Sequence, residues 1–221
     1  MSESDQPIRK RRGAGRVTLS DVAKDVGVSS LTVSRFFNHP AQVSEPLRQR
    51  IGEAVSRLGY VPNLVAGSLA SARGRIVAMV VPNISGPIFA ATIQAFSDTL
   101  ARHGYQLLLA SSYFSEEQEE SAVRAFLGWS PAALVVTSHF HSPATEKMLA
   151  EADMPVVEIW DYQPERSPIQ VGFVHRAVGV QAANYLLCKG YRRIAFVQNS
   201  VAGDLSALER RDGYAVHIEA A

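Results

Sequence analysis

The 221-residue sequence predicts an all-α helix-turn-helix head followed by an α/β domain, its sheet parallel and flanked by helices on both faces. Three observations carry that expectation. Between residues 19 and 58, apolar residues recur at helical spacing and are interrupted by glycines and capping residues. From residue 75 onward, short apolar runs alternate with amphipathic stretches, the rhythm of an open parallel sheet. Charge divides at the same place: residues 1–75 carry 12 Lys/Arg against 6 Asp/Glu, and residues 76–221 carry 10 against 15. A basic head on an acidic body points to an anionic partner for the head alone. For the run RKRR by itself, a charged solubilising tail is the alternative.

Composition narrows the setting. Apolar residues make up 47% of the chain, yet no uninterrupted run approaches the ~20 residues of a membrane span. The opening MSESDQPIRKRRGAGR has charge but no apolar core, so no secretory signal and no membrane partner are expected. Cys188 is the single cysteine, which excludes an intrachain disulfide and a cysteine-rich metal centre. The cytoplasm is the expected compartment.

The head is expected to hold three helices. Thr18-Leu-Ser-Asp21 has capping-box spacing and opens a helix of about Leu19 to Val26, burying Leu19, Val22, Ala23 and Val26. Gly27 suits the positive φ just past a helix end. Ser29 caps a second helix over Ser30–Phe37, which stops at Asn38 ahead of His39-Pro40. At 100° per residue, Ser30, Leu31, Ser34, Arg35 and Asn38 fall on one arc, and Thr32, Val33, Phe36 and Phe37 on the other. The second arc is apolar and faces the core. The first is wet, short-chained and carries one forked cation. Such a face suits the major groove: Ser and Asn bond phosphates or base edges, Arg grips guanine O6 and N7, and Leu meets a thymine methyl. Ser44-Glu-Pro46 opens a third helix with Leu47, Ile51, Ala54, Val55 and Leu58 at core spacing, closed by Gly59. A helical hairpin with an incidental surface is the plainer reading of spacing alone.

The body is expected to run strand, helix, strand. RIVAMVVP (75–82), YQLLLASS (105–112), ALVVTS (133–138), PVVEIW (155–160) and IQVGF (169–173) are the strands, with RRIAFVQNS (192–200) starting a further one. Helices are expected near 88–103, 116–129, 143–152 and 177–189. Ligands bind beyond the carboxyl ends of such strands. That selects Asn83, Ile84 and Phe89 after the first strand, Thr137 and Ser138 after the third, and Trp160 and Asp161 after the fourth. His139-Phe-His141 places no third metal ligand by spacing. Gly13-Ala-Gly15 opens no helix, and no Gly-x-Ser-x-Gly elbow is present. No catalytic residue, metal or cofactor is therefore expected. Phe36, Phe37, Phe96, Phe126 and Cys188 read as packing.

The stretches TLSDVAKDVGVSSLTVSRFFN, VSEPLRQRIGEAVSRLGYVPN and LVAGSLAS, in that order and spacing, resemble the N-terminal region of the LacI/GalR family of bacterial repressors. The resemblance implies a DNA-binding transcriptional repressor rather than an enzyme, acting as a homodimer on a pseudo-palindromic double-stranded operator. It assigns base reading to Ser30, Leu31 and Arg35, and phosphate contacts to Ser29, Thr32, Ser34 and Asn38. Asn63 closes the Tyr-x-Pro-Asn junction. Beyond it, Leu69 followed by Ala70 implies a hinge helix whose leucine wedges into the minor groove. A ten-residue helix containing Gly67, Ser68 and Ser71 is marginal alone, so such a hinge would form only on DNA; a plain flexible linker is the alternative.

The body implied by the family is shaped like periplasmic sugar-binding proteins. TVSRFF, VPNISGPIFA, HGYQLLLA and MPVVEIWD resemble the gluconate-utilisation branch, implying a gluconate-like sugar-acid effector. Arg210, in Arg-Arg-Asp-Gly-Tyr, takes the role of the family's effector-holding arginine; a surface helix arginine is the plainer reading. Val174-His175 stands where many relatives carry Asp-Asn or Asp-Asp. Family chains run on well past residue 221, so the second subdomain is expected to be incomplete. The expected divisions are a basic tail (1–16), a DNA-binding head (17–62), a hinge (63–74), a first effector subdomain (75–162) and part of a second (163–221). The competing reading is a soluble sugar-binding or sugar-converting α/β protein with an incidental basic head.

Overall fold

The computed structural model describes residues 16–62, 74–166 and 169–220. The expected basic tail and hinge, with Asn63, Leu69 and Ala70, lie essentially outside them. The chain forms two compact units, Met1–Gly67 and Ser68–Ala221.

The described part of the first unit folds as three helices, α1 (Leu19–Val26), α2 (Ser30–Asn38) and α3 (Glu45–Leu58), with a short 3-10 turn over Pro40–Gln42. The capping box forms as the spacing predicts. Asp21 N donates to Thr18 Oγ1 at 3.3 Å, and Thr18 N donates back to Asp21 Oδ2 at 2.9 Å. The Thr18 hydroxyl donates to the same carboxylate oxygen at 2.6 Å, and this bond first, then that from Thr18 N, holds the Asp21 carboxyl below its ordinary range. Gly27 takes φ 73°, which turns the chain between α1 and α2 at no steric cost. Val22, Val33 and Ile51 are completely enclosed, one from each helix, so the three elements share one core. Arg50 of α3 donates to the Val26 carbonyl at the end of α1 (2.8 Å), and Arg57 forks onto Asp25 at 3.2 and 2.5 Å.

The second unit carries a five-stranded parallel sheet in the order β2-β1-β3-β4-β5: β1 (Ile76–Val81), β2 (Gln106–Ser111), β3 (Ala133–Thr137), β4 (Val156–Ile159) and β5 (Ile169–Val171). The helices are α4 (Pro87–Arg102), α5 (Glu116–Leu127), α6 (Pro143–Ala150), α7 (His175–Cys188) and α8 (Leu205–Glu219). Alternate residues of β1 face opposite layers. Ala78 and Val80 meet α5 and α6 residues such as Val123 and Leu149, whereas Val77 and Met79 meet Ile93 and Phe96 of α4. Burial on both faces explains why the central strands read as continuous apolar runs.

Two expectations are corrected. Residues 192–200 form no strand: Val197 is 91% exposed and Phe196 38%. Among the described residues no strand lies beside this segment to take its backbone hydrogen bonds, and an unpaired strand has nothing to hold it extended. Cys188 is exposed rather than packed, because α7 ends there and its thiol points to Asn184 at 3.7 Å.

Candidate functional site

In the head, α2 presents the ridge that the helical wheel predicts. Ser30, Leu31, Arg35 and Asn38 are exposed and Ser34 is half-buried, while Val33 behind them is fully enclosed. Leu31 is 60% exposed, a large apolar side chain left in water beside an arginine. Among the described residues the Arg35 guanidinium has no hydrogen-bond or salt-bridge partner, unlike Arg50 and Arg57. Other members of the ridge are partly committed. Ser29 caps α2 by accepting from Thr32 N (3.2 Å), and its hydroxyl pairs with that of Thr32 at 2.9 Å. Asn38 Nδ2 turns back to the Ser34 carbonyl at 3.1 Å. The ridge offers one uncommitted fork and a methyl-sized contact, flanked by hydroxyls, which matches base-edge chemistry.

In the second unit, the carboxyl ends of β3 and β4 converge on one constellation. Ser138 and Trp160 each follow a strand and hold positive φ, 70° and 69°. For non-glycine residues such backbone costs about 1–3 kcal/mol, and it gathers where side chains must be aimed. Trp160 sits 5.9 Å from the Phe89 ring of α4 and 6.3 Å from Phe173. Of the residues expected here, Phe89, Trp160, Asp161 and Arg210 share this neighbourhood.

Asn83 is used locally. Its Oδ1 accepts from Ser85 N (2.8 Å), Ser85 Oγ and Gly86 N, shaping the turn that leads into α4. Thr137 donates to the Val80 carbonyl at 3.1 Å, tying β3 to β1, and Ser138 Oγ accepts from Phe140 N. Ile84 is exposed.

Asp161 is 1% exposed, and its carboxylate takes a hydrogen bond from His139 Nδ1 at 2.5 Å and one from Tyr162 N at 2.7 Å. His139 reaches toward Glu209 of α8 with its other nitrogen, 3.9 Å away. Burial pushes the Glu209 carboxyl up, with His139 opposing it, and among the described residues its enclosed Oε2 has no hydrogen-bond partner. Arg210 Nη1 approaches His175 Nδ1 at 2.7 Å, and His175 Nε2 meets the Trp160 carbonyl at 2.9 Å. The structure thus adds His139, His175 and Glu209 to the expected set, with Gln163, whose Nε2 donates to Asp161 Oδ1 at 3.4 Å. Of these, His175 stood out in the sequence as the departure from the acidic pair seen in relatives, and His139 only as half of the His139-Phe-His141 pair weighed for a metal; Glu209 carried no signal.

The two histidines of His139-Phe-His141 face apart rather than together. The His141 side chain is fully enclosed and bonds Glu119 of α5 at 2.8 Å. Beside it, Arg166 grips Glu158 of β4 at 2.5 Å and Glu146 of α6 at 3.0 Å. Glu158 is 2% exposed, so that pairing keeps a carboxylate inside the unit that would otherwise be untenable. The hydrogen bonds that Arg166 donates to Glu158 hold its pKa above its ordinary value.

Comparison with known proteins places both units. Residues 18–63 match bacterial regulatory proteins of the lacI family, and residues 75–221 match the periplasmic binding proteins and sugar binding domain of LacI family. The HTH-type transcriptional regulator GntR of Escherichia coli (strain K12) is 35% identical over 182 residues, spanning 82% of this chain and 55% of that protein. The regulator of the same name from Pseudomonas aeruginosa is 32% identical over 206 residues, spanning 93% and 60%. The crystal structure of a LacI-family transcriptional regulator from Silicibacter pomeroyi superposes with a TM-score of 0.84 at 34% identity, over 92% of this chain and 61% of that one. The chain therefore spans between half and two thirds of the length of these relatives. With the α2 ridge in the head and the parallel sheet behind it in sequence, both matched along their lengths, the chain belongs to the LacI family of bacterial regulatory proteins.

Proposed function

We propose that the protein is a transcriptional repressor of carbohydrate or sugar-acid use, binding a pseudo-palindromic duplex as a homodimer and released by a gluconate-like anion. The observation that carries this reading is the outward ridge of α2, with an uncommitted Arg35 and an exposed Leu31 backed by enclosed Val33. Ser30, Leu31 and Arg35 read base edges; Ser29, Thr32, Ser34 and Asn38 meet phosphates. Asn63, Leu69 and Ala70 form the hinge that orders on DNA. In the second unit, Asn83, Ile84, Phe89, Thr137, Ser138, Trp160, Asp161 and Arg210 border the effector crevice. There Arg210 supplies a planar fork for a carboxylate and the aromatic rings a face for the carbon chain. An effector acts only through unequal affinity for two states, so gluconate must bind the DNA-released state better.

Selection from a random pool of duplexes, followed by fluorescence anisotropy at several salt concentrations, tests the reading. A two-fold-symmetric sequence should be enriched and its affinity should fall steeply with salt. Sodium D-gluconate should then lower the anisotropy. Failure to enrich any sequence would remove the repressor reading, and enrichment without a gluconate response would remove the effector class alone.

A further inference from the structure

Arg210 is aimed by a residue on a different helix. His175 opens α7 one turn before Gly179, and Arg210 lies on α8 one turn before Gly213. The two helices cross so closely that a Cβ on Gly179 would overlap the Arg210 carbonyl, and one on Gly213 would overlap that of Arg176. This crossing fixes the register in which Arg210 Nη1 stands 2.7 Å from His175 Nδ1. A guanidinium has only donors, so Nδ1 must accept and the imidazole proton must sit on Nε2. The Nε2–H has its acceptor in place, the Trp160 carbonyl at 2.9 Å. Trp160 is held at positive φ at the end of β4, and Phe173 packs edge-on against the imidazole at 4.7 Å. A strained strand end therefore selects the tautomer, and the tautomer offers one lone pair to the guanidinium. Among the described residues the remaining Arg210 N–H groups meet no acceptor, which leaves them for a ligand.

We propose that His175 is the positioning residue for Arg210, so that capture of a carboxylate depends on an imidazole that need not touch it. This rests on the reading of Arg210 as the carboxylate's partner. The charged groups that act on His175 are Asp161 beyond β4, Asp204 at the start of α8 and Arg210 itself. Burial holds the His175 pKa below its ordinary value; Asp161 and Asp204 oppose that effect and Arg210 adds to it. A neutral acceptor is the state this environment favours.

Two measurements on the full chain test the proposal. In nitrogen-15 NMR of histidine-labelled protein, His175 should show the Nε2–H tautomer, and Arg210→Gln should raise its titration midpoint. In calorimetry with sodium D-gluconate, His175→Phe keeps the ring but removes the lone pair, and should weaken binding by about tenfold, the loss of one charge-assisted hydrogen bond. His175→Asn restores an acceptor and should recover most of that loss, while D-glucose, which has no carboxylate, should not respond to either change. An Nδ1–H tautomer, a midpoint indifferent to Arg210→Gln, or undiminished gluconate affinity in the phenylalanine variant would each overturn the proposal. If the unaltered chain binds no gluconate although the tautomer and the Arg210 coupling are as described, the effector class falls and the Arg210–His175 pairing stands.

Discussion

Arg35 stands on the wet face of α2 with Leu31 one turn before it, and the neighbouring hydroxyls are partly spent on the helix itself. Ser29 caps α2 and Asn38 turns back on Ser34, so the guanidinium is the side chain with most left to offer a base pair. Arg35→Ala should cost about 1–3 kcal/mol on the selected duplex and relax preference at one base position. Equal losses on matched and mismatched duplexes, measured by anisotropy, would make Arg35 a phosphate contact instead. The ridge is legible in the amino-acid order because 100° per residue places every side chain of a short helix. The surroundings of Asp161 and Arg210 are not. His139 is 22 positions from Asp161, and His175 is 35 from Arg210. Those pairings exist only because β3 and β4 end beside the start of α7 and its crossing with α8, and no local periodicity encodes that.

Glycine inside a helix separates two demands at the scale of elements. In α3, a Cβ on Gly52 would meet only Phe36 Cζ at 3.9 Å, ordinary contact distance. Gly52→Ala should therefore stabilise the head by about 0.5–1 kcal/mol, through helix propensity and a less flexible unfolded chain. In α7, the same change at Gly179 drives a methyl into the α8 backbone, and should destabilise the second unit despite the better propensity. Urea unfolding of the two variants should move in opposite directions; a stabilised Gly179→Ala would mean that α7 and α8 do not cross as described. The helix–strand alternation is legible because β1 and most of β3 are apolar on both sides, a run that only a covered sheet accommodates, while β4 keeps one enclosed carboxylate, Glu158, by pairing it with Arg166. The failure at 192–200 has the complementary cause: an apolar run becomes a strand only where a neighbour supplies hydrogen bonds. Cys188 failed differently, since an apolar helix face near a terminus need not be covered.

Charge and packing divide the molecule in the same way. The basic residues concentrate in the stretch that contains α1 to α3, the acidic excess in the stretch that contains the sheet, and each stretch closes its own core. Ile51 is enclosed entirely by residues of the head, and Leu134 entirely by residues of the sheet and its covering helices. Two closed cores imply two cooperative units, because cooperativity follows shared burial rather than chain continuity. The chain should unfold in two steps. Head and sheet can be told apart by substitution: Ile51→Ala and Leu134→Ala each remove a completely enclosed aliphatic side chain, costing about 2–5 kcal/mol. Each should lower one transition and leave the other in place when followed by calorimetry and by circular dichroism. If Ile51→Ala lowered both transitions together, the two cores would have to be melting as one, and the reading of an anion-seeking head with its own stability would give way to a single coupled fold.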